Sequence, residues 1–232
     1  MAKHGENVYS PLPFPKSEVS SMPADDDRPL ANYIAIVLAG GEGRRMGRNK
    51  LLLDISARPM IRHVVETIRG VIADVIVVTG HQRERIEEAL VRTPVEFVDS
   101  PSADGPVAAI RRAFERARLL AAEKGRDGIM LCVGDQPRLT EREIAGLIER
   151  YRAGDRRKAL VPVRDERRGY PVIMPRDFEV GAIDLLSESL VADYPDQIEA
   201  FPTRNPVYDS SLDTPEDFRS FFAISELPKH VL

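Results

Sequence analysis

This chain is poor in the residues that staple, anchor or metallate proteins. Its 232 residues include one cysteine, Cys132, set inside an apolar run. A single thiol excludes a disulfide within the chain and a cysteine-based metal centre, and it suits a reducing compartment. The four histidines, His4, His63, His81 and His230, show no H-E-x-x-H or comparable metal spacing. No G-x-S-x-G element occurs, so the nucleophile elbow of the hydrolases is excluded. No apolar run approaches the length of a membrane span, and the N-terminal residues lack the hydrophobic segment of a secretory signal. A cytoplasmic protein without a membrane partner is expected. Positive charge is not in excess either: 33 Lys and Arg stand against 37 Asp and Glu, a net charge of −4 that argues against nucleic acid as a partner.

What is present suits one α/β domain with a sizeable core: hydrophobic residues make up 43% of the chain and charged ones 30%. Residues 1–31 are rich in proline and serine, carry Asp25-Asp26-Asp27 and show no periodicity. They are expected to form a disordered tail, with a domain over 32–224 and a short C-terminal tail over 225–232.

The informative stretch runs from Tyr33 to Lys50. Ile34–Leu38 is an unbroken apolar run rich in β-branched residues, the pattern of a strand buried on both faces. It flows into Gly40, Gly41, Gly43 and Gly47, interleaved with Arg44, Arg45, Arg48 and Lys50. Glycines let backbone N–H groups approach an anion, and the cations supply charge, so the loop is built for phosphates. It is neither a P-loop, since no Ser or Thr follows a Gly-Lys pair, nor a dinucleotide fingerprint, since the spacing Gly41-x-Gly43-x-x-x-Gly47 does not match.

Downstream the pattern alternates. Leu51–Leu53 reads as a short extended piece. A helix opens at Pro59 with Ile61, Val64, Val65 and Ile68 on one stripe and ends at Gly70. A strand over Asp74–Thr79 and a helix from Gln82 to Val91 follow. His63 reads as a helix-surface residue, whereas His81, in a loop at a strand end, could face a ligand. A strand over Val95–Val98 ends in Asp99, and Gly105-Pro106 opens a long helix with Val107, Ile110, Phe114 and Ala117 inward. The strand Gly128–Val133 runs into Gly134-Asp135-Gln136-Pro137, and Thr140 with Glu143 forms a capping box for a helix whose core face is Ile144, Leu147, Ile148 and Tyr151. Strands are expected over Ala159–Val163, Tyr170–Met174 and Ile198–Phe201, with a helix over Phe178–Ala192 and a short one begun by Thr214 and Pro215.

Alternating strands and helices predict an α/β fold, a mostly parallel twisted sheet with helices on both faces. In such sheets ligands sit at the carboxyl ends of strands. The glycine loop, Asp99 and Asp135 all fall just past strand ends. Asp135 is rigidly placed for Mg²⁺, which takes one or two protein carboxylates and completes its shell with phosphates and water.

Leu38-Ala-Gly-Gly-Glu-Gly-Arg-Arg-Met-Gly-Arg-Asn-Lys50 resembles the signature loop of the molybdenum cofactor nucleotidyltransferases, in the form L-A-[AG]-G-x-x-x-R-M-G-x-x-K. The resemblance extends from about Tyr33 to Phe222 and implies a Rossmann-like nucleotidyltransferase fold. By that resemblance Leu38, Ala39, Gly40, Gly41 and Gly43 cradle a nucleoside triphosphate, with Arg44 and Lys50 contributing charge for catalysis. Asp135, in a D-x-P segment, binds Mg²⁺ and the nucleotide, and Asp99 contacts the nucleoside. Asp213, opening Asp-Thr-Pro-Glu-Asp, is a second metal ligand, and Arg168-Gly169-Tyr170-Pro171 resembles the segment on the acceptor pterin's side. Ala39-Gly40-Gly41 and Gly105-Pro106 favour GTP. Lys50–Leu53, Asp135-Gln136-Pro137, Asn49 and Val78 lean toward CTP.

The activity implied is transfer of the nucleoside monophosphate of GTP or CTP to the phosphate of molybdopterin, with release of pyrophosphate. A sugar- or lipid-precursor phosphate is the alternative acceptor. A non-catalytic nucleotide-binding accessory that delivers the cofactor to a molybdoenzyme, with the N-terminal tail as its docking element, is the alternative of another class.

Overall fold

The computed structural model describes residues 31–41, 49–55, 57–80, 82–99, 105–181 and 183–225. All but the last residue of the expected N-terminal tail, the loop residues Gly43, Arg44, Arg45, Gly47 and Arg48, the four residues from Pro101 to Asp104, His81, and nearly all of the expected C-terminal tail lie outside them.

Strands β1 (Tyr33–Leu38), β4 (Asp74–Thr79), β5 (Glu96–Asp99), β6 (Gly128–Val133), β7 (Ala159–Arg164), β8 (Arg167–Arg168), β9 (Val172–Pro175) and β10 (Ile198–Pro202) form one eight-stranded sheet. Its order is β10-β7-β9-β6-β1-β4-β5, with β8 paired to β7. The β6-β1-β4-β5 half is parallel throughout, while β9 runs antiparallel to both β6 and β7. β10 returns parallel to β7. The sheet is therefore mixed but mostly parallel, with a two-stranded ribbon of β2 (Asp54–Ile55) and β3 (Arg58–Pro59) beside it.

Alternation along the central strands decides which residues face which layer. Tyr33, Ala35 and Val37 of β1 and Val75 and Val77 of β4 pack with α1 (Met60–Arg69), α2 (Arg83–Ala89) and α4 (Glu141–Ala153). Ile34, Ile36, Ile76 and Val78 pack on the other side against Ala109, Ile110, Ala113 and Phe114 of α3 (Gly105–Lys124). Cys132 is fully buried and free, and burial pushes its thiol up, so it is an inert core residue. No helix among the described residues is long and apolar enough to cross a membrane.

Five expectations are corrected. Leu51 and Leu52 are not extended, because Lys50–Leu52 forms a 3-10 turn, and of the expected piece only Leu53 has extended backbone. Pro59 pairs in β3 and stands at the cap of α1, one position earlier than expected. Val107 is partly solvent-exposed, and Ala113 holds the inward position instead. The helix expected over Phe178–Ala192 shrinks to α5, Leu190–Asp193. The cause is local competition: the Asp184 carboxylate accepts from Leu186 N at 2.9 Å, and the Ser187 hydroxyl from Ser189 N at 3.2 Å. Phe178, Val180 and Leu185 nevertheless stay buried and cover the α3 side of the sheet. The capping box expected at Thr140 is also not made: the Thr140 hydroxyl donates to the Glu143 carboxylate and caps no helix backbone N–H.

Phe114 is the largest inward side chain of α3 and almost wholly buried. Phe114→Ala is expected to lower unfolding free energy by about 3–5 kcal/mol, read from the urea midpoint at unchanged slope. A loss under about 1 kcal/mol would mean α3 is not seated on the sheet as described.

Candidate active site

Two neighbouring central strands deliver the first two charged residues. β1 and β6 pair in parallel to the end, Leu38 opposite Val133, and Gly134 N donates to Leu38 O at 3.0 Å. A Cβ at Gly134 would lie 2.8 Å from Ile61 Cδ1 and 3.1 Å from Leu38 O, so the chain turns there with no room for a side chain. Asp135 follows at once. On the β1 side Asn49 is buried, and its Oδ1 accepts from Leu51 N at 3.1 Å, starting the 3-10 turn that carries Lys50. Leu51 anchors that turn in the core.

The third residue comes from far down the chain. Leu212 N donates to Asp135 O at 3.0 Å, which brings Asp213 alongside. The Asp217 carboxylate accepts from Asp213 N at 3.1 Å and Thr214 N at 2.8 Å, while Thr214 Oγ1 accepts from Asp217 N at 3.1 Å. This is a reciprocal capping box at the start of α6 (Pro215–Ser225). Burial opposes ionisation of Asp217, but the Thr214 hydroxyl, the two amides and the charge of Lys50 hold its carboxyl below the usual range.

The result is one cation between two carboxylates. Lys50 Nζ lies 2.5 Å from Asp135 Oδ2 and 2.5 Å from Asp213 Oδ1. The Lys50 and Asp135 side chains are each 16% exposed and that of Asp213 41%, so the cluster opens to solvent on the Asp213 side. Burial alone would push the Lys50 ammonium down. The charges and hydrogen bonds of Asp135 and Asp213 outweigh burial and hold it above the ordinary lysine range. Lys50 is therefore a permanent cation at neutral pH and no general base.

Asp135 Oδ1 is buried without a hydrogen-bond partner, a carboxylate oxygen with unused lone pairs. With Asp213 it offers a small, all-oxygen donor set. Among the described residues no three His, Cys, Asp or Glu side chains gather as a complete metal cage. Hard oxygen donors that leave most positions to phosphate and water fit Mg²⁺ or Mn²⁺.

The remaining expected residues that the structure describes lie at strand ends of the same sheet. Ala39 is buried, its N–H donating to Val78 O at 2.8 Å, and Leu38 is half-buried. Gly40 lies against the backbone of Thr79 and Gly80, whereas a Cβ at Gly41 would meet nothing within 4 Å. Asp99 ends β5, two strands from β1, and meets Arg83 Nη1 at 3.4 Å rather than the Lys50 cluster. His63 is more than a surface residue: its Nε2 donates to Pro137 O at 3.1 Å, bracing the segment after Asp135.

A second wall is built around the Arg168–Pro171 segment, and its partners come from elsewhere in the chain. The Tyr208 carbonyl accepts from Tyr170 N at 2.7 Å and from Gln136 Nε2 at 2.9 Å, joining three distant segments. A Cβ at Gly169 would lie 2.4 Å from that carbonyl oxygen, which explains the glycine. A bidentate pair from Arg164 to Asp209, at 2.9 and 2.7 Å, pins the same turn to β7. The resemblance points to Arg168–Pro171 but not to these partners, since a backbone carbonyl leaves no mark in sequence.

The family model for the MobA-like NTP transferase domain matches residues 35–190. The chain belongs to the MobA-like NTP transferase family. Among curated relatives, the bifunctional protein GlmU of Rubrobacter xylanophilus is 35% identical over 123 residues, which cover 51% of this chain and 25% of that protein. The chain thus spans about a quarter of that relative's length. A solved nucleotidyl transferase from Methanothermobacter superposes with a TM-score of 0.66 at 23% identity, over 84% of this chain and 99% of the other. Rv0371C of Mycobacterium tuberculosis, solved in complex with manganese, gives 0.58 at 19% identity, over 82% and 98%. These structures share the fold of this MobA-like transferase.

Replacing Lys50 would leave Asp135 and Asp213 facing each other without a cation. Lys50→Met is expected to gain more apparent stability from millimolar Mg²⁺ or Mn²⁺ than the wild type does, measured by thermal shift without nucleotide. An equal metal response in both proteins would show that the carboxylates do not share a cation site.

Proposed function

We propose that this transferase joins the nucleoside monophosphate of GTP or CTP to the phosphate of molybdopterin and releases pyrophosphate. The observation that carries the reading is Lys50 held between Asp135 and Asp213 at the carboxyl end of the central strands. The signature loop and the family model's MobA-like description support the molybdopterin acceptor.

In this reading an ionised oxygen of the acceptor phosphate bonds to the α-phosphorus, and the bond from that phosphorus to pyrophosphate breaks in line. The nucleophile is already anionic, so no side chain need remove a proton. Lys50 stabilises the charge that builds on the phosphates, and its two carboxylate neighbours keep it aligned between turnovers. Gly40 and Gly41, with Gly43 and Arg44 of the same loop, receive the triphosphate; Leu38 and Ala39 hold the loop to the sheet, and Asp99 meets the nucleoside. Asp135 and Asp213 would hold Mg²⁺, which when bound draws the phosphate oxygens together and neutralises them.

A sugar- or lipid-precursor phosphate is the other acceptor class, favoured by the serines that line the space beside Asp213. In the accessory reading, nucleotide binds without turnover and the cofactor passes to a molybdoenzyme.

Pyrophosphate release with GTP or CTP, Mg²⁺ and molybdopterin separates these readings. Asp135→Ala is expected to lower turnover by at least about a hundredfold, while Asp99→Ala should raise the nucleotide KM more than it lowers kcat. Nucleotide binding without pyrophosphate from any acceptor would favour the accessory role, and near-normal turnover in Asp135→Ala would remove Asp135 from the mechanism.

A further inference from the structure

The two carboxylates offered to a metal are already in use by the chain itself. Lys50 Nζ meets Asp135 Oδ2 and Asp213 Oδ1, each at 2.5 Å. A dication held by the same two side chains would share their oxygens with a cation already in contact with them. The Lys50 and Asp135 side chains are each only 16% exposed, so water screens that repulsion poorly. Ammonium and dication therefore exclude each other, and the question is what makes the ammonium leave.

The backbone beneath Lys50 is fixed. Leu53 N donates to Lys50 O at 3.1 Å, Asn49 caps the turn, and Leu51 is buried at 4% exposure. The charge itself sits at the end of a flexible four-carbon stem, so the head swings while the turn stays. Among the described residues, Asp135 and Asp213 are the only carboxylates that pair with Lys50. No third acid competes for the ammonium, so an anion from outside the chain has to draw it off. A triphosphate does this best, because it carries more charge than the two acids and gives the three ammonium protons several acceptors.

The acids do not follow. Asp135 is held by the crowded turn at Gly134 and by Leu212 N on its carbonyl at 3.0 Å. Asp213 is held through its amide, which donates to the Asp217 carboxylate at 3.1 Å. Once the ammonium has gone, two fixed carboxylates face each other with their charge unbalanced, and Asp135 Oδ1 is a third oxygen without a partner. That is when the pair takes a hard dication most readily.

We propose that Lys50 is the resting counter-ion of the metal site, and that nucleotide, by taking the ammonium onto its phosphates, opens Asp135 and Asp213 to Mg²⁺ or Mn²⁺. This rests on the transferase reading and adds its order of binding. The free chain resists metal, and metal and nucleotide each raise the affinity for the other beyond what the nucleotide's own phosphates contribute. When pyrophosphate leaves, Lys50 returns to the acids and the site closes again.

The test is isothermal titration of Mn²⁺ into the full chain and into Lys50→Met. Each is titrated free and then with the same saturating excess of an α,β-methylene analogue of GTP or CTP, whose own affinity for Mn²⁺ cancels in the comparison. Without nucleotide, Lys50→Met should bind Mn²⁺ at least about tenfold more tightly than wild type. With the analogue bound, the two affinities should agree within about threefold, because Lys50 has left the acids. Equal affinities of the two free chains would overturn the proposal. So would an advantage of Lys50→Met that stays at about tenfold with the analogue bound. If Lys50→Met does not fold, the NMR resonance of the Lys50 ammonium nitrogen decides, assigned by its loss in Lys50→Arg. In wild type it should hold its place in millimolar Mg²⁺ alone and move with Mg²⁺ and the analogue together; movement with Mg²⁺ alone, or none with both, overturns the proposal. Should the analogue bind neither protein, the transferase reading fails and takes this order of binding with it. Equal free-chain affinities beside normal analogue binding would instead remove the order of binding and leave that reading standing.

Discussion

Three charges within contact of one another, Lys50 between Asp135 and Asp213, require the rest of this molecule to be where it is. Two carboxylates that share one ammonium repel each other, and the cation between them offsets that repulsion. The cation has to be held as firmly as the acids. Each is therefore delivered by a short connection to something rigid: Lys50 by a capped 3-10 turn, Asp135 by the last residue of a central strand, Asp213 by a capping box at a helix start. The same arrangement leaves Asp135 Oδ1 with unused lone pairs, as a site that accepts a divalent cation would.

The fold supplies that rigidity from its middle. β1 and β6 are adjacent, parallel and sealed on both faces, so the points where they end vary little with surface motion. Antiparallel β9 and the turn around Tyr208 then close the side of the cluster next to Asp213. One carbonyl there serves both Tyr170 and Gln136, and Gly169 has no side chain because that carbonyl occupies its space. Lys50 and Asp135 thus follow from the regular part of the sheet. The turn around Tyr208 follows from its irregular part, where proteins of one fold differ most.

Much of this was legible because local rules and the global fold agree. Apolar runs of β-branched residues became the buried parallel strands, and glycine and proline marked where they stop. The expectation failed where a local competitor won. Phe178–Ala192 has a helix-like apolar pattern, but Asp184 and Ser187 bond their own backbone and break it into turns. Val107 has the right residue type for the core, but it stands in the first turn of α3 and is left exposed.

By itself the sequence determined the sheet's central strands, the carboxyl edge on which charged residues collect, and the family, because burial periodicity and a glycine-cation loop are local patterns. It could name Lys50, Asp135 and Asp213 only as separate candidates. That they meet around a single ammonium group, and that Tyr170 and Gln136 share one carbonyl beside them, was decided by tertiary structure. Contacts between residues as much as 163 positions apart depend on how the chain returns to its own sheet, and no spacing along the chain encodes that distance.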